Sequence, residues 1–117
     1  MTVLVATLLG SVGALARYAV AGAVQRRSST TFPAGTAAVN LLGALSIGVV
    51  VGLPGQGSVL SVALLGFLGG FTTFSTWMVE SLYLGIVPKP TLRAVANVLV
   101  VAGLGVALAA AGYHIVN

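Results

Sequence analysis

The sequence predicts an all-α membrane protein of four transmembrane helices, with the third helix broken near its middle. Of its 117 residues, 58% are hydrophobic and only 5% are charged, whereas soluble domains carry about a quarter charged residues. Long apolar stretches of about 20 residues are typical of membrane spans. We therefore predict a single transmembrane domain, residues 1–117, with spans near 2–24, 33–53, 58–86 and 91–115.

The first span carries a single charge, Arg17. It opens without basic residues and is longer than a signal-peptide core, so we expect it to be retained. Gly10 and Gly13 give it small residues suited to close helix packing. A polar connection over residues 25–31 should follow, and it contains two arginines.

The second span carries two polar residues, Thr36 and Asn40, which share a helix face because they are four apart. Gly48 and Gly52 form a GxxxG pair, which favours helix packing in membranes. The run Pro-Gly-Gln-Gly at 54–57 predicts a turn.

The third segment contains the most polar stretch, 69–80, which reads Gly-Gly-Phe-Thr-Thr-Phe-Ser-Thr-Trp-Met-Val-Glu. Two glycines followed by two threonines are poor helix formers, so we predict a break at Gly69–Thr73. The stretch ends with Glu80, the only carboxylate side chain of the protein. The last span carries Asn97 and ends near His114.

A broken helix places partial charges inside the span. Free carbonyls of the first half suit a small cation such as sodium, and free N–H groups of the second half suit an anion. Phe74 and Trp77 are three apart and share a face, and their ring edges are electropositive. Further anion donors are hydroxyls and one amide, on Asn40, Thr72, Thr73, Ser75 and Thr76. Together these groups favour an anion path.

Simpler interpretations remain open for single residues. A lone Ser or Thr in a span more often hydrogen-bonds backbone or a neighbouring helix. Asn40 is equally compatible with packing and with function, whereas Asn97 favours packing. Arg17 and Glu80 are charges within spans, which are functional or paired.

Other functional classes fit the composition poorly. Five scattered basic residues do not form a phosphate-binding face, so we expect no nucleic-acid partner. One carboxylate, one histidine and no cysteine leave few acid–base groups, so we expect no enzyme. A small multidrug-resistance-type cation exporter has this size but needs a carboxylate in the first helix, where this chain carries Arg17. A non-transporting membrane subunit is the other alternative.

The connections are asymmetric in charge. Four basic residues lie at one end of the predicted spans and none at the other, namely Arg26, Arg27, Lys89 and Arg93. Because basic loops stay in the cytoplasm, we predict a multi-pass protein of the bacterial plasma membrane with both termini outside.

Four motifs occur in order along the chain: Gly13-Ala14 with Arg17-Tyr18; Phe32-Pro33-Ala34-Gly35-Thr36 with Val39-Asn40 and Gly43; Gly66-Phe67 with Gly69-Gly70-Phe71-Thr72-Thr73-Phe74-Ser75-Thr76 and Glu80; and Asn97. With these motifs the chain resembles the Fluc (CrcB) family of fluoride channels over nearly its whole length. The resemblance implies an antiparallel dimer in the lipid bilayer with two fluoride paths and one central structural sodium ion. It also implies passive export of cytoplasmic fluoride, which relieves fluoride toxicity.

The resemblance also implies roles for individual residues. Backbone carbonyls of Gly69 and Thr72 would bind sodium. Fluoride would meet the ring edge of Phe74, the amide of Asn40 and the hydroxyl of Thr36. The other residues implied for the path are Arg17, Thr73, Ser75, Thr76 and Trp77.

Two features depart from the family pattern. Trp77 stands where the family has a second phenylalanine, and the last helix lacks serine hydroxyls. The loop charges are also unbalanced, which favours one fixed orientation. The dimer partner is therefore this chain itself or, favoured by the charge bias, a homologous subunit of opposite orientation.

Overall fold

The computed structural model describes residues 1–86 and 92–117, which form five helices. These are α1 (Thr2–Arg27), α2 (Ala34–Gly52), α3 (Val59–Phe71), α4 (Ser75–Ile86) and α5 (Leu92–Val116). Four stretches are long and apolar enough to cross a membrane: Thr2–Arg27, Ala34–Gly52, Val59–Tyr83 and Leu92–Val116. The prediction of four helices long and apolar enough to cross a membrane is thus confirmed. Lys89 lies outside the described residues.

The first helix is longer than the sequence suggested. The predicted connection began at residue 25, but α1 continues to Arg27, and extended backbone begins at Ser28. Glutamine and arginine are good helix formers, and positive charge is favourable at a helix C-terminus. Polar composition alone therefore misplaced this boundary.

Glycines bring α1 into direct backbone contact with α3. A Cβ atom on Gly13 would overlap the carbonyl oxygen of Phe67, and one on Gly10 would lie close to Gly66. Gly70 likewise packs on the backbone of Gly10. The residue numbers of the contacting pairs increase together along both helices, so α1 and α3 run in the same direction.

The helices α2 and α5 form a second parallel pair. Gly48 packs on the backbone of Ala109, and Gly52 on that of Tyr113. The predicted GxxxG pair therefore packs α2 against α5. One end of the bundle consequently holds both termini and the turn at 54–57.

The opposite end of the bundle is basic. Arg26 and Arg27 lie in the last turn of α1. Arg93, at the start of α5, donates from Nη1 to the hydroxyl of Thr31 over 3.0 Å. The described basic residues of the connections thus share the end away from the termini.

The break predicted for the third span at Gly69–Thr73 is not confirmed. Helix α3 continues through both glycines to Phe71, and only residues 72–74 lie between α3 and α4. The bend between α3 and α4 is only 21°. Gly70 is required for packing, because a Cβ there would overlap the carbonyl oxygen of Gly10. Low helix propensity was therefore a poor guide to the backbone at the glycine pair.

Candidate ion path

Asn40 joins α2 to the short link between α3 and α4. Its Nδ2 donates to the carbonyl of Thr73 over 2.9 Å, and its Oδ1 accepts from the Thr73 N–H over 2.8 Å. Thr73 is only 9% exposed, so both bonds are shielded from solvent. We call this pair of bonds the Asn40 clamp.

The Asn40 clamp leaves a carbonyl without its helical partner. In a continuous helix the N–H of Thr73 would donate to the carbonyl of Gly69, four residues earlier. Here that N–H donates to Asn40 instead. Gly69 is exposed, and a Cβ on it would meet no atom within 4 Å. Gly69 therefore lies on an exposed part of the protein surface.

A second carbonyl is released in the same way. The N–H of Thr76 donates to the hydroxyl of Thr73 over 3.3 Å, which caps the start of α4. The carbonyl of Thr72 loses that helical partner and accepts from Nη1 of Arg17 over 3.3 Å. The link thus carries two carbonyls outside the helical hydrogen-bond pattern, one of them bonded to an arginine.

A cavity of about 390 Å³, lined in part by polar side chains, opens beside the link, towards the basic end. It is lined by side chains of α1, α2 and α4 and by Thr73, and we call it the arginine cavity. The predicted path residues in its wall are Arg17, Thr36, Thr73 and Thr76, together with Glu80. Five polar groups separated by up to 63 positions in the sequence therefore line one space.

The carboxylate of the arginine cavity is bound to Thr36. The Thr36 hydroxyl donates to Oε1 of Glu80 over 3.0 Å. In the described part of the chain, Oε2 of Glu80 is buried without a hydrogen-bond partner. Arg17 lines the same cavity but donates to the link rather than to this carboxylate. The possible pairing of the two intramembrane charges is thus not formed here.

A second cavity of about 390 Å³ lies on the other side of the link, and we call it the aromatic cavity. Phe74 and Trp77 line it together with Asn40. Their ring centroids are 6.0 Å apart and their planes meet at 81°, an edge-to-face geometry. Phe74 is 70% exposed, so its ring lies on the surface of the single chain. The opposite wall consists of apolar residues of α5.

The two cavities lie at successive levels of the bundle. On α2, Thr36 lines the arginine cavity, while Asn40 and Ile47 line the aromatic cavity. From Thr36 to Ile47 the helix rises about 16 Å. Thr73 lines both cavities, so the Asn40 clamp stands where they meet.

The family was identified by comparison with known proteins. The sequence profile described as "CrcB-like protein, Camphor Resistance (CrcB)" matches residues 4–113. The chain belongs to the CrcB family.

Curated relatives agree with this assignment. "Fluoride-specific ion channel FluC 2" of Mycobacterium tuberculosis is 41% identical over 108 residues, 92% of this chain and 85% of that protein. The protein of the same name from Mycolicibacterium paratuberculosis is 44% identical over 109 residues, 92% of this chain and 88% of that protein. "Fluoride-specific ion channel FluC" of Nitratidesulfovibrio vulgaris is 49% identical over 80 residues, 64% of each chain. With four apolar spanning helices and this family, the chain is a multi-pass membrane protein.

This CrcB chain does not bring every predicted residue into one site. Ser75 is exposed and lines neither cavity, and Gly69 is also exposed outside both. Asn40, Thr36 and Thr73 each engage a partner within the chain. The roles implied for these residues towards ions remain predictions.

Sequence reasoning missed two polar residues that organise the CrcB chain. Gln25 donates to the carbonyls of Thr30 and Phe32 and accepts from the N–H of Gly35, which fixes the connection to α2. Ser81 donates to the carbonyl of Trp77 over 2.7 Å. Gln25 gave no local signal because its partners lie beyond the helix, whereas the i, i+4 spacing of Ser81 and Trp77 could have been noticed.

Proposed function

We propose that this chain is a subunit of a fluoride channel that lets cytoplasmic fluoride leave the bacterial cell passively. The full-length similarity to proteins named fluoride-specific ion channels is the observation that carries this proposal. An enzymatic role has no support in those names. A cationic-drug exporter is disfavoured because Arg17, in α1, lines the arginine cavity and would repel its substrates.

The chemistry of the two cavities supports an anion as the permeating ion. The guanidinium of Arg17 would attract an anion into the arginine cavity from the basic end. At the junction, Asn40 has a second Nδ2 hydrogen beyond the one bound to Thr73. In the aromatic cavity, Phe74 and Trp77 have electropositive ring edges. The Thr36 hydroxyl donates to Glu80, so in this conformation its oxygen can accept but its proton is committed.

The single chain supplies only part of a closed path. The ring of Phe74 is 70% exposed, although it lines the aromatic cavity. A second subunit that covers this surface would separate the ion from lipid. We propose that the partner is antiparallel and homologous, because four basic residues at one end against none would fix the orientation of this chain. Its termini would then lie outside the cell.

A structural sodium ion at the subunit interface is part of the proposal. The carbonyl of the exposed Gly69 lacks its helical donor and fits a hard cation, which prefers oxygen ligands. The carbonyl of Thr72 fits less well, because the guanidinium of Arg17 already donates to it. A carbonyl oxygen has two lone pairs, but a cation there would lie near a positive charge. When bound, sodium would attract backbone carbonyl oxygens of both subunits and so stabilise their association.

The direct test is fluoride efflux from liposomes. Purified protein is reconstituted in liposomes loaded with fluoride, alone and with a homologous subunit of opposite loop charge, and a fluoride electrode records release. We expect efflux with the partner present. No efflux in either preparation would overturn the channel proposal and favour a non-transporting subunit.

A pair of substitutions on α4 and its link makes this test specific. Phe74→Ile removes a ring that lines the aromatic cavity, so we expect efflux to be lost while assembly is retained. Tyr83→Ile is the matched control, because Tyr83 is 68% exposed and lines neither cavity. Equal efflux from both variants would show that the ion does not pass Phe74.

A further inference from the structure

Trp77 is held to α5 by a network that the proposed fluoride path does not explain. Its indole Nε1–H donates to the backbone carbonyl of Asn97 over 3.0 Å. The Asn97 Nδ2 donates to the Ser81 hydroxyl over 2.7 Å, and that hydroxyl donates to the carbonyl of Trp77 over 2.7 Å. Three hydrogen bonds therefore form a closed connection between α4 and α5, which we call the Asn97 network.

The Asn97 network lies in the interior of the chain. Asn97 is 1% exposed and Ser81 is 5% exposed, which makes them the two most buried polar residues that the structure describes. Within the described residues, Oδ1 of Asn97 has no partner. A buried oxygen without a hydrogen-bond partner is unfavourable. The hydrogen bond that Asn97 makes within the network therefore comes from its Nδ2 and not from its side-chain oxygen.

The Asn97 network determines which groups of Trp77 are available to an ion in the aromatic cavity. An indole differs from a phenyl ring by its size and by a strong N–H donor, which could bind an anion in the aromatic cavity. Here that donor is committed to the carbonyl of Asn97. Only the carbon-bound edges and faces of the ring remain for the aromatic cavity, where the ring meets Phe74 edge to face.

We propose that Asn97 and Ser81 are positioning residues that fix the indole of Trp77 and withhold its N–H from the permeating anion. Trp77 then lines the path as a carbon-edged aromatic ring, as a phenylalanine would. This inference rests on the proposed anion path for its functional meaning. Its geometry can be tested separately, because Trp77 is the only tryptophan in the chain.

The experiment follows the single indole N–H by NMR in the full-length protein labelled with ¹⁵N-tryptophan. In the unsubstituted protein we expect slow exchange of this proton with deuterium and no shift of its signal when sodium fluoride replaces sodium gluconate. Ser81→Ala removes both Ser81 bonds of the network and should speed exchange about tenfold, which corresponds to about 1.4 kcal/mol. We also expect a fluoride-dependent shift to appear in this variant.

A double-mutant cycle separates positioning from general loss of structure. If the Ser81–Asn97 bond fixes the indole, Asn97→Ala should speed exchange as Ser81→Ala does, and the double variant should add little. The matched control is Ser46→Ala, which removes only a local bond to Leu42 on α2 and should leave the indole signal unchanged. Independent, additive effects would overturn the proposed coupling.

Fluoride transport supplies the functional arm. Ser81→Ala frees the indole N–H to bind the ion and should reduce efflux, whereas the control Ser46→Ala should retain it. Unchanged efflux in Ser81→Ala, or a fluoride-dependent indole shift in the unsubstituted protein, would overturn the inference. Slow indole exchange in a protein that conducts nothing would refute the fluoride channel but support the Asn97 network.

Discussion

Removing the Asn40 clamp should both destabilise the protein and stop fluoride transport. Asn40→Leu preserves approximate size but deletes the bonds of 2.9 and 2.8 Å to the backbone of Thr73. Thr73 is 9% exposed, so both of its backbone groups would be left with little access to water. Each buried unsatisfied group costs about 1–3 kcal/mol.

Part of this cost can be recovered. The freed N–H of Thr73 can return to the carbonyl of Gly69, as in a continuous helix. The Thr73 carbonyl has no such replacement from residue 77, because the link does not continue the helix. We therefore expect a net loss of about 2 kcal/mol, which is about a thirtyfold change in the folding equilibrium.

The assay is denaturant unfolding of the purified protein in detergent, with efflux from liposomes measured in parallel. Ser46→Ala is the control on the same helix, because its hydroxyl bonds only to the carbonyl of Leu42. That variant should change stability by less than about 0.5 kcal/mol. If Asn40→Leu unfolds at the same midpoint as the control and still conducts fluoride, the clamp is not what holds the link.

Three further outcomes are expected. Gly70→Ala should destabilise the protein by about 1–3 kcal/mol, because its Cβ would overlap the Gly10 carbonyl. Gly69→Ala, with no atom within 4 Å of its Cβ, should not destabilise it, and equal losses in denaturant unfolding would contradict this packing. Replacing sodium by N-methyl-D-glucamine should weaken subunit association, measured by chemical cross-linking in liposomes, and an unchanged dimer fraction would argue against the cation site. A cysteine appended after Asn117 should react with an impermeant maleimide only from outside the cell, and equal labelling from both sides would refute a fixed orientation.

The sequence was a good guide to the spans and to the helix faces. Apolar length predicted four spans, and a spacing of three residues placed Phe74 with Trp77, whereas Thr36 and Asn40, four apart, line different cavities. Small residues in α1 and α2 correctly indicated close helix packing, because a glycine leaves room for a neighbouring backbone. These properties depend on short-range periodicity, which a sequence shows directly.

Helix propensity did not predict where the third span is interrupted. Glycines at 69 and 70 remain helical, since packing against α1 stabilises the helix there. The interruption begins at Thr72, and at the next residue Asn40, more than thirty positions earlier, takes the backbone N–H of Thr73. A tertiary hydrogen bond therefore overrides the local helix propensity. The sequence does not show which residues form that bond, because they are distant along the chain and meet only in the folded bundle.

The link around Thr73 connects the proposed anion path to the proposed cation site. One amide, Asn40, stands between the two cavities and also takes the N–H that would otherwise cover the carbonyl of Gly69. If that N–H returned to Gly69, the carbonyl would no longer be available to a cation. Asn40→Leu should therefore reduce the sodium dependence of subunit association as well as fluoride efflux. A variant that lost efflux but kept full sodium dependence would show that the two ion sites are built independently.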